Sequence, residues 1–247
     1  MLRKTTKYVV ITTLLFFASM AQATYVGIPS NVMDFFVADQ KNSNWCWAAS
    51  IQMVLNYYGV NITQPQIVAR TYGLNPNDPL PNWTGSFSAI TANLNNWNID
   101  GSGKPYVVSA SLNLGAPTPA VLIQELSRGR PVIVGYKTGP NSGHAVVITG
   151  ANYDKSPAGP IIHSVVARDP WPSPQNIESN GRVEYPGAQI ASLMQAYWYV
   201  QVQITNTSKL DGAPQKIPNP ENSGCAKETT PYGYIRSGCE GITKRVN

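Results

Sequence analysis

The chain reads as α+β, with a mainly helical front half and an antiparallel β back half. Between residues 46 and 128, apolar residues recur at helical spacing. From Pro131 onward they come as short Val- and Ile-rich runs divided by Gly, Pro and Asn. No internal repeat and no heptad pattern interrupts this order. Helices followed by strands suggest two lobes, and a cleft between lobes is a natural ligand site.

The start of the chain, 1–23, has the layout of a secretory signal. Arg3, Lys4 and Lys7 form a basic start, and Tyr8 to Met20 is a largely apolar run. Ala21-Gln22-Ala23 is an A-x-A cleavage signal, which makes Thr24 the first mature residue. The apolar run is short of the roughly 20 residues of a spanning helix, so no stable membrane anchor is expected after cleavage. The expected location is secreted or periplasmic. Of the 18 Lys and Arg in the chain, three lie in this segment, leaving 15 against 13 Asp and Glu, a net of +2. That balance gives no ground for nucleic acid as a partner.

The mature part, from Thr24 to Asn247, is long enough for one sizeable core or two lobes. Residues 24–204 are read as the folded domain and 205–247 as a polar, Pro- and Gly-rich extension. Three cysteines are present: Cys46, Cys225 and Cys239. Export implies an oxidising compartment, and Cys225 and Cys239 lie close together in the extension, so they are expected to pair. Cys46 remains as a free thiol.

Residues 24–39 are mixed, with an apolar cluster at Val32, Met33, Phe35, Phe36 and Val37. A helix is predicted over 46–58, where Trp47, Ile51, Val54, Leu55 and Tyr58 share one face and Gly59 ends it. A second helix starts at Gln64, capped by Thr63 with Pro65 in its first turn. A third spans 86–97, with Phe87, Ile90, Leu94 and Trp97 on one side. A fourth runs from Thr118-Pro119 to Arg128-Gly129. Strands follow over 131–137, 144–149 and 161–169, with a turn at 138–143 and a hairpin loop at 152–159. A short helix over 188–195 precedes a last strand at 198–204.

Cys46 would open its helix, where free N–H groups and the positive dipole end favour a thiolate. Only two histidines are available to partner it, His144 and His163. His144 begins a strand after a Gly-rich turn and can face a cleft. His163 lies within the next strand, about 20 Å along from Asp169, and is read as structural or surface. Asp169 ends that strand before Pro170, where a carboxylate can hold an imidazole in one tautomer. Asp154 is a weaker candidate for that role, since it lies in a loop of turn composition. Gln40, shortly before Cys46, offers a side-chain amide for an oxyanion beside the Cys46 N–H. The chemistry is that of an activated thiol nucleophile.

Gln40-x5-Cys46-Trp47-Ala48 resembles the active-site stretch of papain-like cysteine peptidases. His144-Ala145-Val146 is similar to that family's histidine strand, and Asp169-Pro170-Trp171 to its third segment. The order Gln, Cys, His, acid agrees, and the likeness covers roughly residues 35–204. It resembles most the bacterial members, the bacteriocin-leader peptidases and the effector proteases of plant-associated bacteria. The resemblance implies a papain-like two-lobed fold, a helical lobe carrying Cys46 and a β lobe carrying His144. It also implies that Gln40 forms the oxyanion hole and that Trp171 covers the hydrogen bond between the acid and His144. Trp45, Trp47, Trp171 and Gly143 are the expected substrate-binding residues, with Trp45, in place of a small residue, narrowing the cleft. The long inhibitory propeptide of the plant and lysosomal enzymes has no room in the short stretch between Ala23 and Gln40.

Three readings stand at this point. The first is a peptidase acting as a monomer on a peptide or protein, without cofactor. The second is another thiol acyl transfer, an amidase, deamidase or transglutaminase-like activity. The third is a non-enzymatic effector or adhesin module on the same scaffold. The two histidines and the dispersed acids make no metal set. Asn61, Asn82 and Asn206 stand in N-x-Ser/Thr triplets, which matter only in a eukaryotic source. Trp83, Tyr185 and Trp171 could line a peptide cleft, although aromatics more often pack in a core.

Overall fold

The computed structural model describes residues 23–95 and 99–204, together with three short strands farther on. Residues 1–22, Cys225 and Cys239 lie outside the described residues, and with them the signal and the expected disulfide.

The order is β1 (Thr24–Gly27), α1 (Ser30–Met33), a 3-10 turn (Asp34–Phe36), α2 (Cys46–Tyr57), α3 (Gln64–Tyr72) and α4 (Phe87–Asn93). It continues with β2 (Tyr106–Leu114), α5 (Pro119–Ser127), β3 (Val132–Gly139), β4 (Ser142–Asp154) and β5 (Ile161–Arg168). Then come α6 (Pro174–Glu178), β6 (Arg182–Pro186), α7 (Gly187–Leu193) and β7 (Met194–Ile204). One antiparallel sheet has the order β2-β7-β3-β4-β5-β6, with β1 also paired to β4. The strands β8 (Lys227–Thr229), β9 (Tyr234–Ser237) and β10 (Gly241–Arg245) pair antiparallel in a second sheet. The α+β class read from the sequence is the observed one. No helix of the described residues is long and apolar enough to cross a membrane.

The sheet is buried on both faces at its centre, which explains the unbroken apolar runs of β3 and β4. Alternation divides them between two cores. Ile133, Ala145, Val147 and Trp198 join the core around α2. Val132, Val134, Val146 and Ile148 join the core beneath α5 and α7. The helix α2 is buried on every side from Trp47 to Leu55, rather than along one stripe as its spacing suggested. It lies against β4 and β3 and is flanked by α3, α4 and the 3-10 turn, so no face is left for water.

Elsewhere the chain departs from the sequence reading in its strands. β4 reaches Asp154 at its end and starts at Ser142, so the turn before it is shorter than predicted. The strands β1, β2 and β6 and the helices α1 and α6 carry weak signals. β2 is an edge strand whose firmly buried positions are Tyr106 and Val108 alone. The helix α4 ends at Asn93, and residues 96 and 97 of the predicted 86–97 helix lie outside the described residues.

Candidate active site

Cys46 is the first residue of α2, and no side chain caps the turn it opens. The loop before it is pinned by the segment at 81–83. Asn44 N donates to Asn82 Oδ1 at 2.9 Å, and Asn44 Nδ2 to Asn82 O at 2.9 Å. The Trp45 indole donates to Pro81 O at 3.0 Å and the Trp47 indole to Trp83 O at 3.3 Å. These bonds explain why the two indoles flanking Cys46 do not line a cleft. Trp45 is 3% exposed and Trp47 is 2% exposed, and both belong to the core around α2. Where the sequence reading set them against substrate, both indoles turn inward and anchor the loop and helix around Cys46.

His144 is the third residue of β4, opposite Tyr136 of β3. The packing of α2 against β4 brings its imidazole beside the Cys46 side chain, near enough for the two to interact electrostatically. Its other side meets Asp169: Nε2 lies 2.7 Å from Asp169 Oδ1. Nε2 is thus committed to the carboxylate, which leaves Nδ1 for the thiol. Burial disfavours the charged ring, but the bonds to Asp169 and Cys46 and their charges outweigh it. The His144 pKa is pushed up to about 9.

Asp169 follows β5 directly and is buried. Its Oδ1 also accepts from the Trp171 N–H at 2.8 Å, and its Oδ2 from the Tyr185 hydroxyl at 3.2 Å. Burial alone would raise the carboxyl's pKa, but His144 and these donors hold it below the usual carboxylate range. The backbone here is tightly set. Asp169 N donates to Gly181 O at 2.7 Å, and a Cβ on Gly181 would stand 2.6 Å from Asp169 O. Gly181 also has φ +65°, which suits glycine. The preceding residue, Arg168, is 1% exposed and bonds Asp34 at 2.9 Å, Ser30 O at 3.1 Å and Asn180 O at 3.0 Å.

Gln40 is buried, and its amide Nε2 donates to Asn42 O at 3.0 Å and Ser43 O at 2.7 Å. Its position is imposed from outside. Gln64, at the head of α3, donates through Nε2 to Asp39 O at 2.8 Å and accepts at Oε1 from the Lys41 N–H at 2.8 Å. One buried amide therefore clamps the residues on both sides of Gln40. Gln64 is held in turn from α2, since Gln52 Oε1 accepts its N–H at 3.1 Å.

The four residues read as catalytic thus gather around the head of α2 and the ends of β4 and β5. Trp171 is 48% exposed and reaches the site through its backbone N–H, while the ring that meets His144 edge-on is that of Tyr136, at 5.8 Å. Gly143 is exposed beside His144. His163 sits apart, as its place in the strand suggested, paired with Asp154 at 2.8 Å on the surface. The sequence reading missed Tyr136, Gln64 and Arg168. Tyr185 was noted only as an aromatic. Strand parity would have placed Tyr136 beside His144 only with the β3–β4 register in hand.

The family model described as the Peptidase_C39 like family matches residues 32–209. Among solved structures, a digestive procathepsin L2 proteinase from the larval midgut of Tenebrio molitor is similar at 12% identity and a TM-score of 0.38. The match covers 68% of this chain and 65% of that one. No curated protein matches the chain. The matched stretch takes in Gln40, Cys46, His144 and Asp169 and most of the chain's length: the chain belongs to the Peptidase_C39 like family.

Proposed function

We propose that the chain is an exported thiol peptidase that hydrolyses peptide bonds through Cys46, His144 and Asp169. The observation that carries the reading is His144, half-buried beside the Cys46 side chain with Nε2 2.7 Å from Asp169 Oδ1. Membership of a peptidase-like family supports it.

In this reading the Cys46 proton passes to His144 Nδ1, and the thiolate sulfur attacks the scissile carbonyl carbon. The carbonyl oxygen takes the negative charge and is met by the Cys46 N–H and by Gln40. Both Gln40 amide hydrogens face loop carbonyls in the resting site, so one must leave Asn42 O, the longer of its two bonds, to reach the oxyanion. His144 returns its proton to the leaving amine, and a thioester remains on Cys46. Water, deprotonated by His144, then attacks the thioester, and the thiol is regenerated as the acid product departs. Asp169 stays ionised throughout and stabilises the imidazolium. The substrate is a peptide or protein, met as a monomer, with Trp171 and Gly143 at the exposed side of the site.

The test is incubation of the mature chain, from Thr24, with a peptide library, read by product mass, against Cys46→Ala. Fragment pairs whose summed mass is that of the substrate plus one water, absent with the variant, support hydrolysis. Products joined to an added amine would move the assignment to acyl transfer. No product from any peptide, with Cys46 reduced, would return it to a non-enzymatic module.

A further inference from the structure

The Asp169 carboxylate is held at both oxygens, and the two sides differ. His144 Nε2 and the Trp171 N–H both meet Oδ1, at 2.7 and 2.8 Å. Tyr185 supplies the donor at Oδ2, at 3.2 Å. A carboxylate bound at one oxygen can still turn about its last torsion, which is broad for an sp3–sp2 bond. A donor at the second oxygen stops that turning. Tyr185 has one hydroxyl proton, and the acceptor-only carboxylate takes it. Tyr136, whose hydroxyl lies 3.4 Å from that of Tyr185, must therefore donate to it. The Tyr136 ring also meets the His144 ring edge-on at 5.8 Å and the Tyr185 ring at 6.1 Å.

These contacts join four elements. Tyr136 comes from β3 opposite His144, Tyr185 from β6, His144 from β4, and Asp169 from the end of β5. Cys46 on α2 is a further ionisable neighbour of His144 and Tyr136, while Arg168 is turned to Asp34. Burial raises both phenols above their ordinary range, so each keeps the proton this chain of donors needs.

We propose that Tyr185 is a positioning residue of this site: its hydroxyl fixes the rotation of the Asp169 carboxylate, and Tyr136 fixes that hydroxyl. The inference rests on the reading of Cys46 and His144 as a nucleophile pair. Tyr185 touches no reacting atom. It acts through Asp169 on the orientation and charge of His144.

The test measures the rate of Cys46 alkylation by iodoacetamide across pH in the mature chain. It compares the wild type with Tyr185→Phe, Tyr136→Phe and His144→Ala, and needs no substrate. Tyr185→Phe is expected to slow alkylation on the order of tenfold near pH 6, as loss of one hydrogen bond to a charged group implies. It should also move the low-pH limb upward, because Asp169 loses a donor that keeps it ionised. Tyr136→Phe should act in the same direction and less strongly.

A wild-type rate and limb in Tyr185→Phe would overturn the proposal. So would a slower rate with an unmoved limb, which marks packing alone. If Tyr185→Phe does not melt cooperatively, Tyr136→Phe decides, since it keeps the ring at 185, and an unmoved limb there overturns the proposal equally. A wild-type thiol no faster than that of His144→Ala sinks the nucleophile reading itself, and this inference with it.

Discussion

The Gln40 N–H donates to the Pro170 carbonyl at 2.8 Å. That bond ties the loop before α2 to the residue after Asp169. The amide proposed for the oxyanion and the acid proposed for His144 are thus adjacent in space, although far apart in sequence. One hydrogen-bonded unit sets the two ends of the site against each other.

Gln64 makes that unit rigid, so its loss should be felt at Cys46. Gln64→Ala leaves the Asp39 carbonyl and the Lys41 N–H without their side-chain partner. A hydrogen bond lost at such part-buried positions costs about 0.5–1.5 kcal/mol. Denaturant unfolding should show a loss of that order, and peptide cleavage should fall by more than the unfolded fraction explains. Full activity in a destabilised variant would separate Gln64 from the placement of Gln40.

The His144–Asp169 pair makes stability depend on pH in a defined way. The folded His144 pKa, about 9, lies above its ordinary value of 6.5. Its contribution is therefore full below about pH 6.5 and is lost as the pH rises through about 9. The Asp169 pKa is lowered from 3.8, so its contribution is present above that value and is lost as the pH falls below it. The two overlap between about pH 4 and 6.5. Thermal melting of wild type against Asp169→Asn should show the widest gap in that window. A gap that keeps growing toward alkaline pH would contradict the assignment.

Gly181→Ala should disturb Asp169 through its backbone rather than at its carboxylate. The added Cβ meets Asp169 O at 2.6 Å on a residue with φ +65°, and backbone cannot give way as a side-chain tip can. A cost of about 1–3 kcal/mol is expected from overpacking, measured by chemical denaturation. Cys46 alkylation should slow in parallel, and an unchanged melting curve would show that the turn can relax.

Arg168 holds the start of the chain to β5. Replacing it with Ala removes the guanidinium's bonds to Asp34 and to the Ser30 and Asn180 carbonyls. Asp34 is only partly buried, so the cost is expected at about 1–3 kcal/mol. Loss near that size is expected in urea unfolding, and a loss under about 1 kcal/mol would mean water replaces the guanidinium.

The parts of the site that depend on local chemistry were legible in the sequence. Cys46 at a helix head, His144 near a strand start and Asp169 before a proline each have a local signature. The helices α2, α3 and α5 were also legible, because caps at Thr63 and Thr118 and glycines at 59 and 129 mark their ends. What was not legible depends on register and on long-range bonds. Tyr136 and Tyr185 join the site only because β3 and β6 flank the strands that carry His144 and Asp169. Trp45 and Trp47 look like cleft aromatics in sequence. Their burial follows from bonds to carbonyls at residues 81 and 83, which no local pattern announces.

The central claim is that His144 activates Cys46. Active-site titration of the mature chain with a papain-directed epoxide, read by mass spectrometry, tests it most directly. A single adduct on Cys46 is expected, lost in Cys46→Ala and in His144→Ala. An unmodified wild-type protein with a reduced Cys46, or an adduct that forms equally well without His144, would contradict it.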